Sequence, residues 1–345
     1  MNSMELGMRS LAARCMDALG LLTGAKSFVA NPVLGSAELN RRGLHLARLR
    51  AAHWLMRVRQ AWFAYGVRRE QRKAFQRDGY LMLEDFLPAE QYQRLLTEAE
   101  GARGEIRQCR QADTLTRRRV MSPENVEALP EMQALMRDRR FRRLMRYCSG
   151  HARQPIMHLE RIHNGVLESH ERDPQKSLHV DTFQPTMKFW LYLQDVTPAQ
   201  GPFMFVPGST RLTSARLTWE KHMSLIARDH PNRYTQRGSF RVDEGDLERF
   251  GLREVKHFAV KANTLLIANT YGMHGRGEAE QGSTRFALWG MSRTTPFSPL
   301  PGLGFEWLNR VQYKVLEAER QRDDRKAAAR GEQASWFVPS DNGEL

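Results

Sequence analysis

His179-Val180-Asp181, together with His274 and Arg285 further along the chain, is the stretch on which the reading of this sequence turns. On an extended segment, side chains two residues apart leave the same face, so His179 and Asp181 can grip one ion together. A later histidine, His274, completes a set of two imidazoles and one carboxylate. That set suits a non-haem Fe(II) ion held from one side, with the opposite positions open. His-x-acid pairs are common, and the chain carries a second in His158-Leu159-Glu160. His158, Glu160, His163 and His170 all precede the chosen pair and read as surface or capping residues, or as part of a substrate entrance.

The sequence around the pair is rich in strands. Lys188-Phe189-Trp190-Leu191-Tyr192-Leu193, Phe203-Met204-Phe205-Val206, His257-Phe258-Ala259-Val260, Thr264-Leu265-Leu266-Ile267 and Arg285-Phe286-Ala287-Leu288-Trp289 are short aromatic or β-branched runs separated by Gly, Pro, Asn and Asp. Residues 210–254 interrupt them with polar, partly helical sequence. Upstream, Asp78-Gly79-Tyr80-Leu81-Met82-Leu83 reads as a turn and strand, and Leu87-Pro88-Ala89-Glu90 as the start of a helix. The arginine-rich stretch from 103 to 146 reads as solvated helical faces, with a binding surface for an anionic substrate as the alternative. These features predict a mainly β fold with flanking helices (α+β): a double-stranded β-helix of the jelly-roll or cupin kind, with a helical N-terminal extension. The expected divisions are a basic extension over 1–74, the β-helix domain over 75–297 with its insertion at about 210–254, and a C-terminal loop, charged helix and tail over 298–345.

With 345 residues, 41% of them hydrophobic, the chain can bury a sizeable core. Its three cysteines, Cys15, Cys109 and Cys148, are too few and too scattered for a disulfide framework or a thiolate zinc site. A reducing cytoplasm is the expected location. Asp17 and Lys26 interrupt the longest apolar stretch, which argues against a transmembrane span, and the early Glu5 argues against a secretory signal. The formal charge of +14 is concentrated at one end, where residues 1–75 hold 13 Lys/Arg against 4 Asp/Glu. That end therefore calls for an anionic partner. Within 37–74, Ala51, Leu55, Val58, Trp62 and Tyr65 recur at helical spacing among arginines. Such a helix either packs on the main domain or lies on an anionic inner-membrane surface. Nucleic acid is the weaker expectation, because no zinc-finger, RNP or P-loop spacing accompanies the charge.

From about Phe75 onward the chain resembles the phytanoyl-CoA dioxygenase (PhyH-like) family of Fe(II)/2-oxoglutarate oxygenases. The likeness is carried by Asp78-Gly79-Tyr80 with Phe86-Leu87, by His179-Val180-Asp181, and by Trp190 to Thr210 with its Gly201-Pro202 and Val206-Pro207-Gly208. It continues in Ala262-Asn263-Thr264, His274-Gly275 and Arg285. The resemblance implies that His179, Asp181 and His274 are the catalytic iron ligands and that Trp190 lines the cosubstrate pocket. Arg285, eleven positions after His274, can present a planar fork to the distal carboxylate of 2-oxoglutarate, and alternation puts Ser283 on the same face. The chain departs from the family pattern after the distal histidine, where it has Arg276, Gly277 and Glu278.

The expected activity is hydroxylation of an unactivated C–H bond in an anionic or amphiphilic substrate, an acyl thioester, a lipid or a phosphorylated molecule. The expected cofactors are Fe(II), 2-oxoglutarate and O2, with ascorbate as a candidate reductant. Asp181 occupies the position that a halide would need, which favours hydroxylation over halogenation. Epimerisation and desaturation remain alternatives on the same centre, as does a non-catalytic jelly roll that binds lipid or nucleic acid through its basic surface.

Overall fold

A computed structural model describes residues 11–252, 254–292, 295–340 and 345. Glu5, Arg253, Arg293 and most of the last five residues fall outside this set. The helices are α1 (Leu11–Leu19), α2 (Ala37–Arg41), α3 (Leu44–Trp62), α4 (Arg69–Asp78), α5 (Ala89–Gly101), α6 (Pro130–Arg137), α7 (Arg139–Ser149), α8 (Ser214–Ile226), α9 (Arg233–Gln236), α10 (Glu244–Phe250) and α11 (Glu306–Ala328). The strands are β1 (Tyr80–Leu83), β2 (Ile106–Gln111), β3 (Thr114–Val120), β4 (Ile156–His163), β5 (Met187–Tyr192), β6 (Phe203–Phe205), β7 (Lys256–Phe258), β8 (Leu265–Asn269), β9 (His274–Arg276) and β10 (Thr284–Ser292).

Seven strands form one antiparallel sheet in the order β1-β8-β5-β10-β4-β3-β2, and a smaller sheet runs β7-β6-β9. Strand alternation sorts the side chains into two cores. Phe189, Leu191, Leu265, Ile267, Phe286 and Leu288 point outward to a layer that includes Leu95, Leu135, Phe141 and Leu144 from the helices. Trp190, Tyr192, Leu266, Ala268, Ala287 and Trp289 point inward and meet Phe203, Phe205 and Phe258 of the small sheet. This is the expected double-layered β core with flanking helices, and Arg285 falls on the inner face by the same parity.

Two local expectations are corrected. The arginines Arg117, Arg118 and Arg119 lie on β3, which pairs with β2 and β4, and not on a helix. Thr114 and Thr116 supply the alternation of this strand, while the long arginine stems substitute for apolar side chains on a half-buried surface. The 37–74 segment is three helices instead of one, broken at Gly43 and again between Trp62 and Arg69. Furthermore, α3 packs through a polar face: His45, Arg48, His53, Arg59 and Gln60 are buried along with Leu49, Ala52 and Met56.

Those buried polar groups are satisfied by the body of the protein. Arg48 donates to the carbonyls of Leu21, Thr23 and Ala25, and stacks 4.3 Å from the centroid of Phe183. His45 Nε2 lies 2.8 Å from Glu220 Oε2. Glu220 Oε1 accepts from Arg216 at 3.0 and 3.1 Å and from the Tyr271 hydroxyl at 3.1 Å. Helices α3 and α8 and the turn before β9 are thus joined at one carboxylate. Burial opposes the charge on Glu220, but Arg216 and His45 outweigh it and hold the carboxyl down to about 2. Its stabilising contribution is therefore complete above the ordinary value of 4.5 and is lost as the pH falls toward 2. Glu220→Ala, which strands a buried guanidinium, should lower stability by about 3–5 kcal/mol in urea unfolding at neutral pH; a loss below about 1 kcal/mol would show that the network carries little of the fold.

Candidate metal centre

The two histidines meet because their backbones pair. His179 N donates to His274 O and His274 N donates to His179 O, both at 2.9 Å, a reciprocal bridge between residues far apart in sequence. Asp181 N donates to Thr270 O at 3.0 Å, which fixes the far end of the same short segment. Strand β9 is registered on β6, with Phe205 opposite His274. Gly272, in the turn that leads into β9, sits so close to Phe205 that a Cβ there would lie 2.3 Å from its ring. Only glycine permits that approach.

The side chains converge accordingly. His179 Nε2 and His274 Nε2 lie 3.9 and 3.7 Å from Asp181 Oδ1, and one ligand atom from each residue falls within 4.8 Å of the others. Each Nδ1 is engaged by a backbone carbonyl at 2.8 Å, Ser177 for His179 and Gly272 for His274. These contacts place the proton on Nδ1 and leave both Nε2 lone pairs for a metal. Burial pushes the His274 imidazolium down to about 4 and that of His179 well below its ordinary value, so both rings are neutral at physiological pH. The Asp181 carboxyl is disfavoured as an anion by burial, yet Lys188 and the two histidines hold it well below the usual carboxylate range. Lys188 Nζ lies 2.7 Å from Oδ2, so one carboxylate oxygen is held by the ammonium and the other faces the imidazoles. His274 Nε2 is buried without a hydrogen-bond partner. An unpartnered buried acceptor beside a second imidazole and a carboxylate fits a divalent ion of intermediate softness.

The other expected residues occupy two environments. Arg285 is buried on the inner face and donates to Gly201 O at 2.6 Å. Trp190 is buried against Phe203, with ring centroids 4.5 Å apart, and Phe203 in turn contacts His274. Ser283 Oγ donates to Glu280 O at 2.7 Å and lies within reach of Asn164 Nδ2, an arrangement at the mouth of β10. His158 and Glu160 are buried on β4 away from the ligand set: Glu160 accepts from Arg118, and His158 packs on Trp289. His170 is exposed.

Several functional neighbours had no motif to announce them. Lys188 shares the inner face of β5 with Trp190 and Tyr192, so strand parity alone points to it. The Tyr192 hydroxyl is buried without a partner, in the electrostatic reach of Arg285. Lys26, from the segment before α2, donates its ammonium to the main-chain oxygen of Asp181. No local signal in the sequence marks it. A cavity of about 360 Å³ opens at Asp181, with Lys26, Lys188, Arg118, Arg276, Trp289 and Trp336 among its walls. Arg118 lies 3.8 Å from the Trp289 ring centroid and 4.6 Å from that of Trp336, closing one side with a stacked guanidinium.

The phytanoyl-CoA dioxygenase (PhyH) family model matches residues 75–247, which contain His179, Asp181 and strands β1 to β6 and end before His274. No curated protein matches the chain. Similar solved structures include the epimerase SnoN in complex with Fe3+, alpha ketoglutarate and nogalamycin RO, at 18% identity and TM-score 0.43 over 64% of this chain and 81% of that one. HygX from Streptomyces hygroscopicus with nickel and 2-oxoglutarate bound is 18% identical, with TM-score 0.41 over 66% and 87% of the two chains. EctD from S. alaskensis with bound Fe is 17% identical, with TM-score 0.41 over 70% and 87%.

In anaerobic calorimetric titration the apoprotein should take up one Fe(II), and His274→Ala should weaken binding by about 100-fold or more. Lys188→Met keeps every ligand and should weaken it by about tenfold; unchanged affinity in that variant would show that the ammonium does not orient Asp181.

Proposed function

The chain belongs to the phytanoyl-CoA dioxygenase family and is a 2-oxoglutarate-dependent non-haem iron enzyme, and from that premise we propose that it hydroxylates an unactivated C–H bond of an anionic or amphiphilic small molecule or lipid. The observation that carries the iron assignment is the convergence of two Nε2 atoms and Asp181 Oδ1, with His274 Nε2 buried and unpartnered. In the proposed reaction 2-oxoglutarate loses CO2 to give succinate; one atom of O2 enters succinate and the other enters the substrate C–H as hydroxyl. Bound at His179, Asp181 and His274, iron supplies the oxidising chemistry.

The chain's own residues hold and orient the reactants. Arg285 offers its guanidinium to the distal carboxylate of 2-oxoglutarate, with the idle Tyr192 hydroxyl as a second donor. Its fork is already fixed by the Gly201 carbonyl, so little side-chain freedom is lost on binding. Lys188 keeps Asp181 Oδ2 occupied, which leaves Oδ1 as the ligating oxygen. The presence of that carboxylate supports hydroxylation over halogenation. For the substrate, four cationic side chains line the cavity wall, and although Arg118, Arg276 and Lys188 are paired with Glu160, Asp173 and Asp181, the basic lining supports an anionic group. The Trp289–Arg118–Trp336 stack narrows the approach and limits water at the reacting carbon.

Anaerobic addition of 2-oxoglutarate to the Fe(II) protein should produce the weak visible charge-transfer band of a chelated 2-oxo acid. Arg285→Ala should raise the 2-oxoglutarate concentration needed for that band by about tenfold or more while leaving Fe(II) affinity unchanged. A folded, iron-loaded protein without the band would refute the assignment.

A further inference from the structure

Among the described residues, one face of helix α3 has no packing partner. Trp54, Val58 and Trp62 follow at four-residue steps and form a single stripe along it. Trp54 is 64% exposed, Trp62 67%, and Tyr65, just past the helix end, 90%. The opposite face is the one buried on the body, so the stripe points away from it. From Leu39 to Arg69 the chain contains eight arginines and no aspartate or glutamate. Arg48 and Arg59 turn inward, whereas Arg50 and Arg57 remain exposed beside the stripe.

A second exposed apolar segment abuts the helix. Arg59, on the inward face of α3, donates to the Ser298 carbonyl, so the Pro/Gly-rich loop that follows meets the buried side of the helix and not the stripe. In and just beyond that loop, Leu300, Leu303 and Phe305 are exposed at 66, 60 and 55%. The exposed aromatic stripe of α3 exceeds the scattered apolar residues of an ordinary surface.

We propose that this surface docks on an anionic phospholipid bilayer. Helix α3 lies parallel to the membrane plane, with Trp54 and Trp62 at headgroup depth and Arg50 and Arg57 against lipid phosphates. The charge decides between occupants. A second copy would bring the same acid-free, arginine-bearing face against this one, and like charges repel. Nucleic acid would match the charge, but Val58 and Ala61 between the tryptophans offer bases no hydrogen bond and suit hydrocarbon. The contact is peripheral: among the described residues no helix is long and apolar enough to cross a membrane.

Flotation with large unilamellar vesicles tests the proposal on the full chain. The protein should float with phosphatidylcholine vesicles that contain phosphatidylglycerol, and floating should fall with pure phosphatidylcholine or with added salt. Trp54→Ser combined with Trp62→Ser, both at exposed positions, should weaken binding by about tenfold or more with an unchanged melting temperature. Arg50→Glu with Arg57→Glu should abolish the preference for the anionic lipid. The proposal is overturned if the parent protein does not float with anionic vesicles, or if the tryptophan variant floats equally well. It is also overturned if light scattering shows a parent dimer that the tryptophan substitutions convert to monomer.

Discussion

The reciprocal backbone bridge between His179 and His274 is the constraint on which the rest of the site depends. Two hydrogen bonds of 2.9 Å set the spacing of the imidazoles before any side-chain torsion is chosen. The remaining freedom, rotation of each ring, is removed by the carbonyls of Ser177 and Gly272. Those carbonyls belong to residues two positions before each histidine, so the local extended backbone orients its own ligand. The cost of removing two imidazoles and a carboxylate from water is met by the fold.

Charge inside the double-layered core is arranged around that bridge. Arg118 is paired with Glu160 and Arg276 with Asp173. Arg285, the third interior arginine, meets a carbonyl and no carboxylate among the described residues. A buried guanidinium lacking a counter-ion is costly, and a dianionic cosubstrate would remove the imbalance. Arg276 stands where the family pattern changes after the distal histidine, and its full pairing with buried Asp173 makes the departure understandable: the arginine braces the wall through 173 instead of waiting for a ligand.

Much of this architecture was legible in the sequence because period-2 patterns and ligand types survive in any context. The five aromatic or β-branched runs fall on β5, β6, β7, β8 and β10, within two residues at their ends except that β10 continues three residues past Trp289. The ligand set required only residue type, order and alternation. Asn263 was legible as part of a motif, and the structure gives its reason: it holds φ of 62° and clamps the backbone of Leu87 through both side-chain atoms. The hairpin of β2 and β3 was hidden because its buried positions are filled by Thr, Gln and Arg, which read as solvated helix. The inward polar face of α3 was hidden for a related reason. Arg48 finds its partners in Leu21, Thr23 and Ala25, and Glu220 finds His45 and Tyr271 far away in sequence; only the Arg216–Glu220 pair on α8 fits within one window.

That long-range pairing also builds part of the cavity wall at Asp181. Lys26 comes from the segment between α1 and α2, and Trp336 from the tail after α11; both line the cavity at Asp181, and both lie outside residues 75–247. The Trp336 segment is held in place by Phe337, whose backbone exchanges hydrogen bonds with Gln108 at the edge of the large sheet. The Lys26 segment is held by Arg48 and by the packing of Phe28 with Val180 and Phe240. The candidate metal ligands therefore sit on the β core, while part of the adjoining cavity wall is supplied by segments outside residues 75–247. A substitution in either segment alters the cavity without touching a candidate ligand, so under the proposed function it changes the substrate and leaves the iron chemistry in place.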